Sequence, residues 1–566
     1  MIILLLLFYG IVVYPIWGGI FSHQRGQSLP ITPAWALECW LWEDDANTAE
    51  ATLELLEGYR EHDLPVRTIL LDSPWSMRYN DFAVDTVRFP QPAAFFKQLE
   101  HQGYRVVLWM TCMVNSKNKD TAIKNTPDWF EFAKNNHFLC DEGAETGWWK
   151  GRGSFIDYTN PQAMDWWRAL QQQVFDWGID GWKLDGTATY FHSKFGPIAL
   201  PYARTHAGWL TMRKYMNHYY RDEYRHGLTR NPEFVTLSRS IDSPLPHAHP
   251  RGFAPLDASP VNWVGDNQHT WDDQSRGLER AIRCILRSAD LGYTVIGSDI
   301  AGYHGNMPIP PNLYIRWAQF STFCGLFLNG GHGERRLWKR SQPELEIIRK
   351  FSWLHMELVP YIYSHLANHH KSGTPLMRPL KNGTYHHLFG DDLLIAPIYR
   401  DSSALMVCLP PGKWRYLFDD EQAIVGPKTI SRDFPLDEYP VYVREGAIIP
   451  MKIERDYTGI GSTDWADFLT LNVYPGKHDS MTIHHTDGSG QLHVNVNQNE
   501  GRQLEVTLTG VQKSHILRIL LPEEPLAVER NQIALRKGSQ RFWLETQKRL
   551  IIKTQKYDDC TYRIRW

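Results

Sequence analysis

Four aspartates in this sequence each follow directly on an apolar run: Asp72 after VRTILL, Asp185 after GIDGWKL, Asp266 after VNWVG and Asp299 after YTVIGS. Arg239 lies near the end of another such run, and His332 sits just past a further one, CGLFLNGG. A single terminal acid means little, because Asp is a frequent helix cap and loop residue. Four of them can build a site if their strands lie side by side. Two carboxylates can then act as an acid/base or nucleophile/acid pair while the others accept hydrogen bonds from hydroxyls. A metal site is the competing account, and it is weaker because the cluster lacks the closely spaced His ligands that transition metals favour.

The elements that would position these groups follow from hydrophobic patterning. Apolar runs at 35–42, 66–72, 104–111, 178–185, 234–240, 261–266, 293–299 and 324–331 read as buried parallel strands. Between them, stretches such as 48–61, 161–177 and 273–291 place apolar residues three and four apart, as helices do. Eight strands alternating with helices predict an α/β fold, a (β/α)8 TIM barrel, over residues 30–375, whose strand C-termini carry the chemistry. Residues 112–160 are too long for an ordinary connection and are expected to form a lobe over the barrel mouth. After the barrel, short β-like runs with Pro and Gly turns predict two all-β domains, 376–451 and 452–566.

Length, 566 residues, requires more than one domain, and a formal net charge of −3 gives no reason to expect a nucleic-acid partner. The 23 Trp and 26 Tyr exceed what a core needs and suit a protein that stacks flat apolar faces such as sugar rings. Seven Cys show no CxxC pair, and Cys39, Cys112 and Cys324 lie in apolar runs where a buried thiol is expected. Residues 1–21 carry no charged side chain. They read as a signal peptide or a short membrane anchor, hence an exported or membrane-associated protein. A cytoplasmic protein, or a chain that begins inside a longer one, is the alternative.

The motifs KLDG at Asp185, WVGDN at Asp266, GSDIAGY at Asp299, LYIRWAQF, LFGDDLLIAP with YVREGAIIP, and VYPGKHDSMTIHHTDGSG occur in this order along the chain. Together they resemble glycoside hydrolase family 31, the α-glucosidases, α-xylosidases and their relatives. The resemblance implies a retaining α-glycosidase without a cofactor or metal, acting on an α-linked oligosaccharide or glycoside. It makes Asp185 the nucleophile and Asp266 the general acid/base, with the two carboxyls about 5 to 5.5 Å apart. Asp72 and Asp299 would accept sugar hydroxyls, and His332 and Arg239 would donate to them. Arg239 reads equally well as an ion-pair partner that holds a strand end. Trp109 and Trp271 are candidate stacking platforms. Lys183, on the same strand face as Asp185, would keep the nucleophile ionised.

The sequence also departs from the family pattern. The neighbourhood before the acid/base reads LDASP, with Arg251 the nearest arginine, and Lys183 stands where many members have tryptophan. Both positions wall the sugar site, so the family's commonest substrate is not assumed. The family's large N-terminal β-sandwich finds no counterpart between the leader and the first strand, which implies a more open site or an incomplete chain. The resemblance leaves two variants open: an α-transglycosylase, and a catalytically inactive carbohydrate-binding relative.

Overall fold

The computed structural model describes residues 2–10, 29–186, 193–195, 198–200, 202–241, 254–499 and 502–566. Its centre is a parallel sheet of eight short strands: β1 (Trp40–Leu41), β2 (Thr68–Leu71), β3 (Arg105–Met110), β4 (Gly181–Leu184), β5 (Val235–Arg239), β6 (Val261–Trp263), β7 (Ile296–Gly297) and β8 (Leu328–Asn329). They pair in the order β7-β6-β5-β4-β3-β2-β1-β8. A parallel bridge between Asp299 and Leu328 joins the two ends, and the Ile300 amide donates to the Leu328 carbonyl at 2.9 Å. The sheet therefore curls into the predicted barrel. All eight runs read from the sequence supply one strand each.

The strands are shorter than the apolar runs, down to two residues each in β7 and β8, and the first run also contains a different element. Residues 35–42 form a 3-10 turn over Ala34–Leu37 and only then the two residues of β1. Pro33 fixes the backbone ahead of the turn, and the Trp40 indole closes it by donating to the Ala36 carbonyl at 3.0 Å. Three of the barrel helices start where a side chain satisfies their first amides. Thr48 accepts from the Ala51 amide at the head of Ala49–Glu61, Asn160 from Gln162 and Ala163 ahead of Pro161–Asp176, and Thr211 from Lys214 ahead of Met212–Arg230. The helix expected from Asp273 begins later, at Leu278. Asp272 takes the Ser275 amide and the Gly277 amide donates to the Asp272 carbonyl, so 272–277 is a turn instead.

The segment 112–160 folds as a three-stranded antiparallel sheet (Met113–Asn118, Gly151–Phe155, Thr146–Trp148) with the helix Pro127–Asn135. A second excursion, not anticipated from sequence, follows β4: two antiparallel pairs, Ser193–Phe195 with Ile198–Leu200 and Tyr202–Thr205 with Gly208–Thr211, precede the helix Met212–Arg230.

All-β sheets follow the barrel. A six-stranded antiparallel sheet spans Met377–Arg444 and shares one continuous core with the barrel, through Phe323, Phe389 and Tyr439 among others. Ile448–Met451 pairs with Leu469–Val473 and opens a five-stranded sheet, which faces a six-stranded one across a separate core that includes Leu471, Val494, Leu504 and Ile564. The helix Ile2–Phe8 is apolar and exposed, and residues 1 and 11–21 of the leader lie outside the described residues. Among the described residues no helix is long and apolar enough to cross a membrane. All seven cysteines are unpaired, and Cys39, Cys112 and Cys324 are buried.

Candidate active site

The ends of β2 to β6 open onto one cavity of about 340 Å3. Its wall includes Asp72, Trp109, Lys183, Asp185, Arg239 and Asp266, six of the residues singled out from sequence. Period-two alternation explains part of this convergence, since Lys183 and Asp185 on β4 must share a face. Ser73, Trp149, Lys150, Arg276 and Tyr303 complete the wall. Trp149 and Lys150 come from the turn between Thr146–Trp148 and Gly151–Phe155, so the 112–160 lobe does reach the mouth of the barrel.

Asp185 is held on both carboxylate oxygens. The Trp109 indole donates to Oδ2 at 3.1 Å and the Arg239 guanidinium to Oδ1 at 3.2 Å. Its amide donates to the Met110 carbonyl of the neighbouring strand. Burial by itself would push this carboxyl up. The nearby Arg239 and Lys183 cations and the Trp109 hydrogen bond more than offset that and hold it below the usual aspartate range. The group is therefore an anion at neutral pH, as a nucleophile must be. Trp109 is consequently bound edge-on to the carboxylate by its N–H.

Lys183 is the cationic centre of the floor. Its ammonium donates to Asp72 Oδ2 at 2.6 Å and lies 4.2 Å above the Trp42 ring. Burial would lower its pKa, but Asp72, Asp185 and Asp299 together raise it well above the lysine norm. Asp299, only 2% exposed, lies behind the cavity wall and accepts from the Trp42 indole at 3.1 Å. Burial, reinforced by Asp266 and opposed by Lys183, pushes its carboxyl up to about 7. Burial likewise raises Asp72 against the pull of Lys183.

Asp266 is the most open of the acids, its side chain 37% exposed on the loop after β6. The same Arg239 nitrogen that reaches Asp185 reaches Asp266 Oδ1, at 3.3 Å. Those two contacts cap the oxygen–oxygen separation at about 6.5 Å, the lower edge of the inverting range of about 6.5 to 9.5 Å. Arg239 is therefore an ion-pair partner shared by Asp185 and Asp266.

His332 lies just outside the cavity wall, where it bonds Asp45 Oδ1 at 2.6 Å and Asp44 Oδ2 at 3.1 Å. Asp44 in turn accepts from the hydroxyl of Tyr303, whose ring stacks on Trp42 and which itself lines the cavity. Trp271 also lies outside the wall, half-buried against the core, because the turn 272–277 folds its segment back onto the helix Leu278–Asp290. Arg251 falls outside the described residues. Arg276, Tyr303, Trp149 and Lys150 were missed from sequence. None ends an apolar run, and only the wealth of aromatics hinted at two of them. Among the described residues no group of three or more His, Cys, Asp or Glu is arranged to hold a metal ion.

Comparison with known proteins places this geometry. The profile of the "Glycosyl hydrolases family 31 TIM-barrel domain" matches residues 29–365, and that of the "Glycosyl hydrolase family 31 C-terminal domain" matches 373–449. An α-xylosidase of Emericella nidulans is 26% identical over 453 residues, 75% of this chain and 54% of that protein. An isomaltosyltransferase of Sporosarcina globispora is 24% identical over 78% of this chain and 44% of its own length. The chain thus spans about half the length of these relatives. Among solved structures, a family 31 dextranase of Flavobacterium johnsoniae complexed with isomaltotriose superposes with a TM-score of 0.80 at 20% identity, covering 95% of this chain and 71% of the other. That likeness is one of fold, whereas the profile match spans more than half of the sequence; the chain belongs to glycosyl hydrolase family 31.

Proposed function

We propose that this chain is a retaining α-glycoside hydrolase in which Asp185 is the nucleophile and Asp266 the general acid/base. The carrying observation is the single Arg239 nitrogen bonded to both carboxylates, which keeps them within the reach of one anomeric centre. In the first step Asp185 attacks the anomeric carbon as Asp266 gives its proton to the departing glycosidic oxygen, leaving a glycosyl ester on Asp185. In the second, Asp266 takes a proton from water, whose oxygen displaces the Asp185 carboxylate and restores the starting configuration. Asp72 and Lys183 on the floor, and Tyr303 on the wall, offer acceptors and donors to the sugar hydroxyls.

The substrate class is an α-linked glucoside or xyloside, the classes in which its relatives are named. Other relatives are an isomaltosyltransferase and a cycloalternan-forming enzyme. Transfer of the glycosyl group to a sugar hydroxyl is therefore the second reading. It uses the same intermediate, with a sugar in place of water.

Hydrolysis of a series of aryl α-glycosides, with product anomers read by NMR, tests the proposal. Asp185→Ala should abolish turnover, removing a factor of about 10^4 or more. Asp266→Ala should spare glycosides with activated leaving groups in the first step and fail on poor ones. Binding of α-glycosides with no turnover of any would make the chain a carbohydrate-binding relative instead. Added acceptor sugars that divert product into longer saccharides would select the transferase reading.

A further inference from the structure

Asp185 is bound on both oxygens, but Asp266 sits on a loop, and the structure shows what fixes that loop. On one side it leans on the segment after β7: the Asn267 carbonyl accepts the amides of Tyr303 and His304, at 2.9 and 3.2 Å. On the other side it closes on a single residue, Arg276. The Arg276 carbonyl accepts the Gln268 amide at 2.9 Å and the Asn267 side-chain amide at 3.1 Å. Its guanidinium then returns across the loop and donates to the peptide carbonyl of Asp266 itself at 2.6 Å. To do this the Arg276 backbone adopts φ of 64°, a left-handed conformation unusual for a long side chain. Arg276 also lines the cavity, together with Asp266.

We propose that Arg276 is a positioning residue for Asp266, clamping the acid's own peptide so that its carboxyl is aimed at the glycosidic oxygen. This rests on the reading of Asp266 as acid/base. Backbone strain maintained at a cavity wall fits such a role, since strained residues persist where the surroundings over-determine them. A charged donor on the peptide oxygen is also a strong and directional restraint.

Arg276→Asn separates side chain from backbone, because Asn tolerates the left-handed conformation and lacks the guanidinium. Arg276→Lys, which keeps the charge and loses the fork, serves as second variant. With aryl α-glycosides of graded leaving-group ability, kcat/KM of the Asn variant should fall about 10- to 100-fold for poor leaving groups, as for a misplaced acid. For activated ones it should change by less than about threefold. Millimolar guanidinium should partly restore the poor substrates, and the Lys variant should fall between. Equal loss on all substrates, or none on any, would overturn the proposal. Asp266→Ala measured alongside separates the two layers of the argument. If it shows the leaving-group dependence and Arg276→Asn does not, only the clamp is refuted. If Asp266→Ala shows none, the assignment of the acid falls, and the clamp with it.

Discussion

Asp299→Asn is the sharpest test of the electrostatics of this site. Asp299 is 2% exposed, bonded to the Trp42 indole, and raised by burial and by Asp266 to about 7, in spite of Lys183. The unfolded chain releases that proton near the ordinary value of 3.8, so between these limits the unfolded state binds fewer protons than the native one. Stability from the neutral carboxyl is thus present in full below about pH 4 and gone once the pH has passed about 7. The gap is worth on the order of 4 kcal/mol, at about 1.4 kcal/mol per pH unit. Asn keeps an oxygen for the Trp42 N–H and carries no charge. The variant should therefore match the wild type near pH 4 and exceed it increasingly up to about pH 7, where the difference levels off. Urea unfolding of both proteins at four or five pH values, followed by tryptophan fluorescence, reads this directly. A difference that is flat with pH, or largest in acid, would refute the reasoning that burial dominates this carboxyl.

Other variants probe the supports of the site. Trp109→Phe removes the N–H that holds Asp185 and should lower kcat about 10- to 100-fold, the worth of a hydrogen bond to a charged group, with little change in thermal midpoint. Glu223 is fully buried and accepts from Tyr158, Trp167, Arg168 and Gln171, tying the helices Pro161–Asp176 and Met212–Arg230 together. Glu223→Ala strands the Arg168 charge and should cost about 3 to 5 kcal/mol in urea unfolding, a loss too small to detect being the contrary result.

The barrel was legible because its parallel strands are buried on both faces and so appear as unbroken apolar runs. WALECWLW shows the limit of that signal. Its continuous hydrophobicity also suits the turn that Pro33 sets up, and pattern alone cannot divide turn from strand. The excursion between β4 and Met212 escaped for the opposite reason, since its short hairpins carry no long apolar run.

The sequence by itself determined which acids are candidates. Asp185 follows β4 at once, where alternation sets the way it points, and the motifs around Asp185 and Asp266 carry the family resemblance. Tertiary structure decided what surrounds those acids. The union of Asp185 and Asp266 on one Arg239 nitrogen, the Lys183–Asp72 pair, and the return of Arg276 to the Asp266 carbonyl each join different strands or opposite ends of a loop. Local periodicity cannot encode such contacts. They arise when barrel closure brings β2, β4, β5 and β6 to one mouth, where burial turns each neighbouring charge into a shift in acidity.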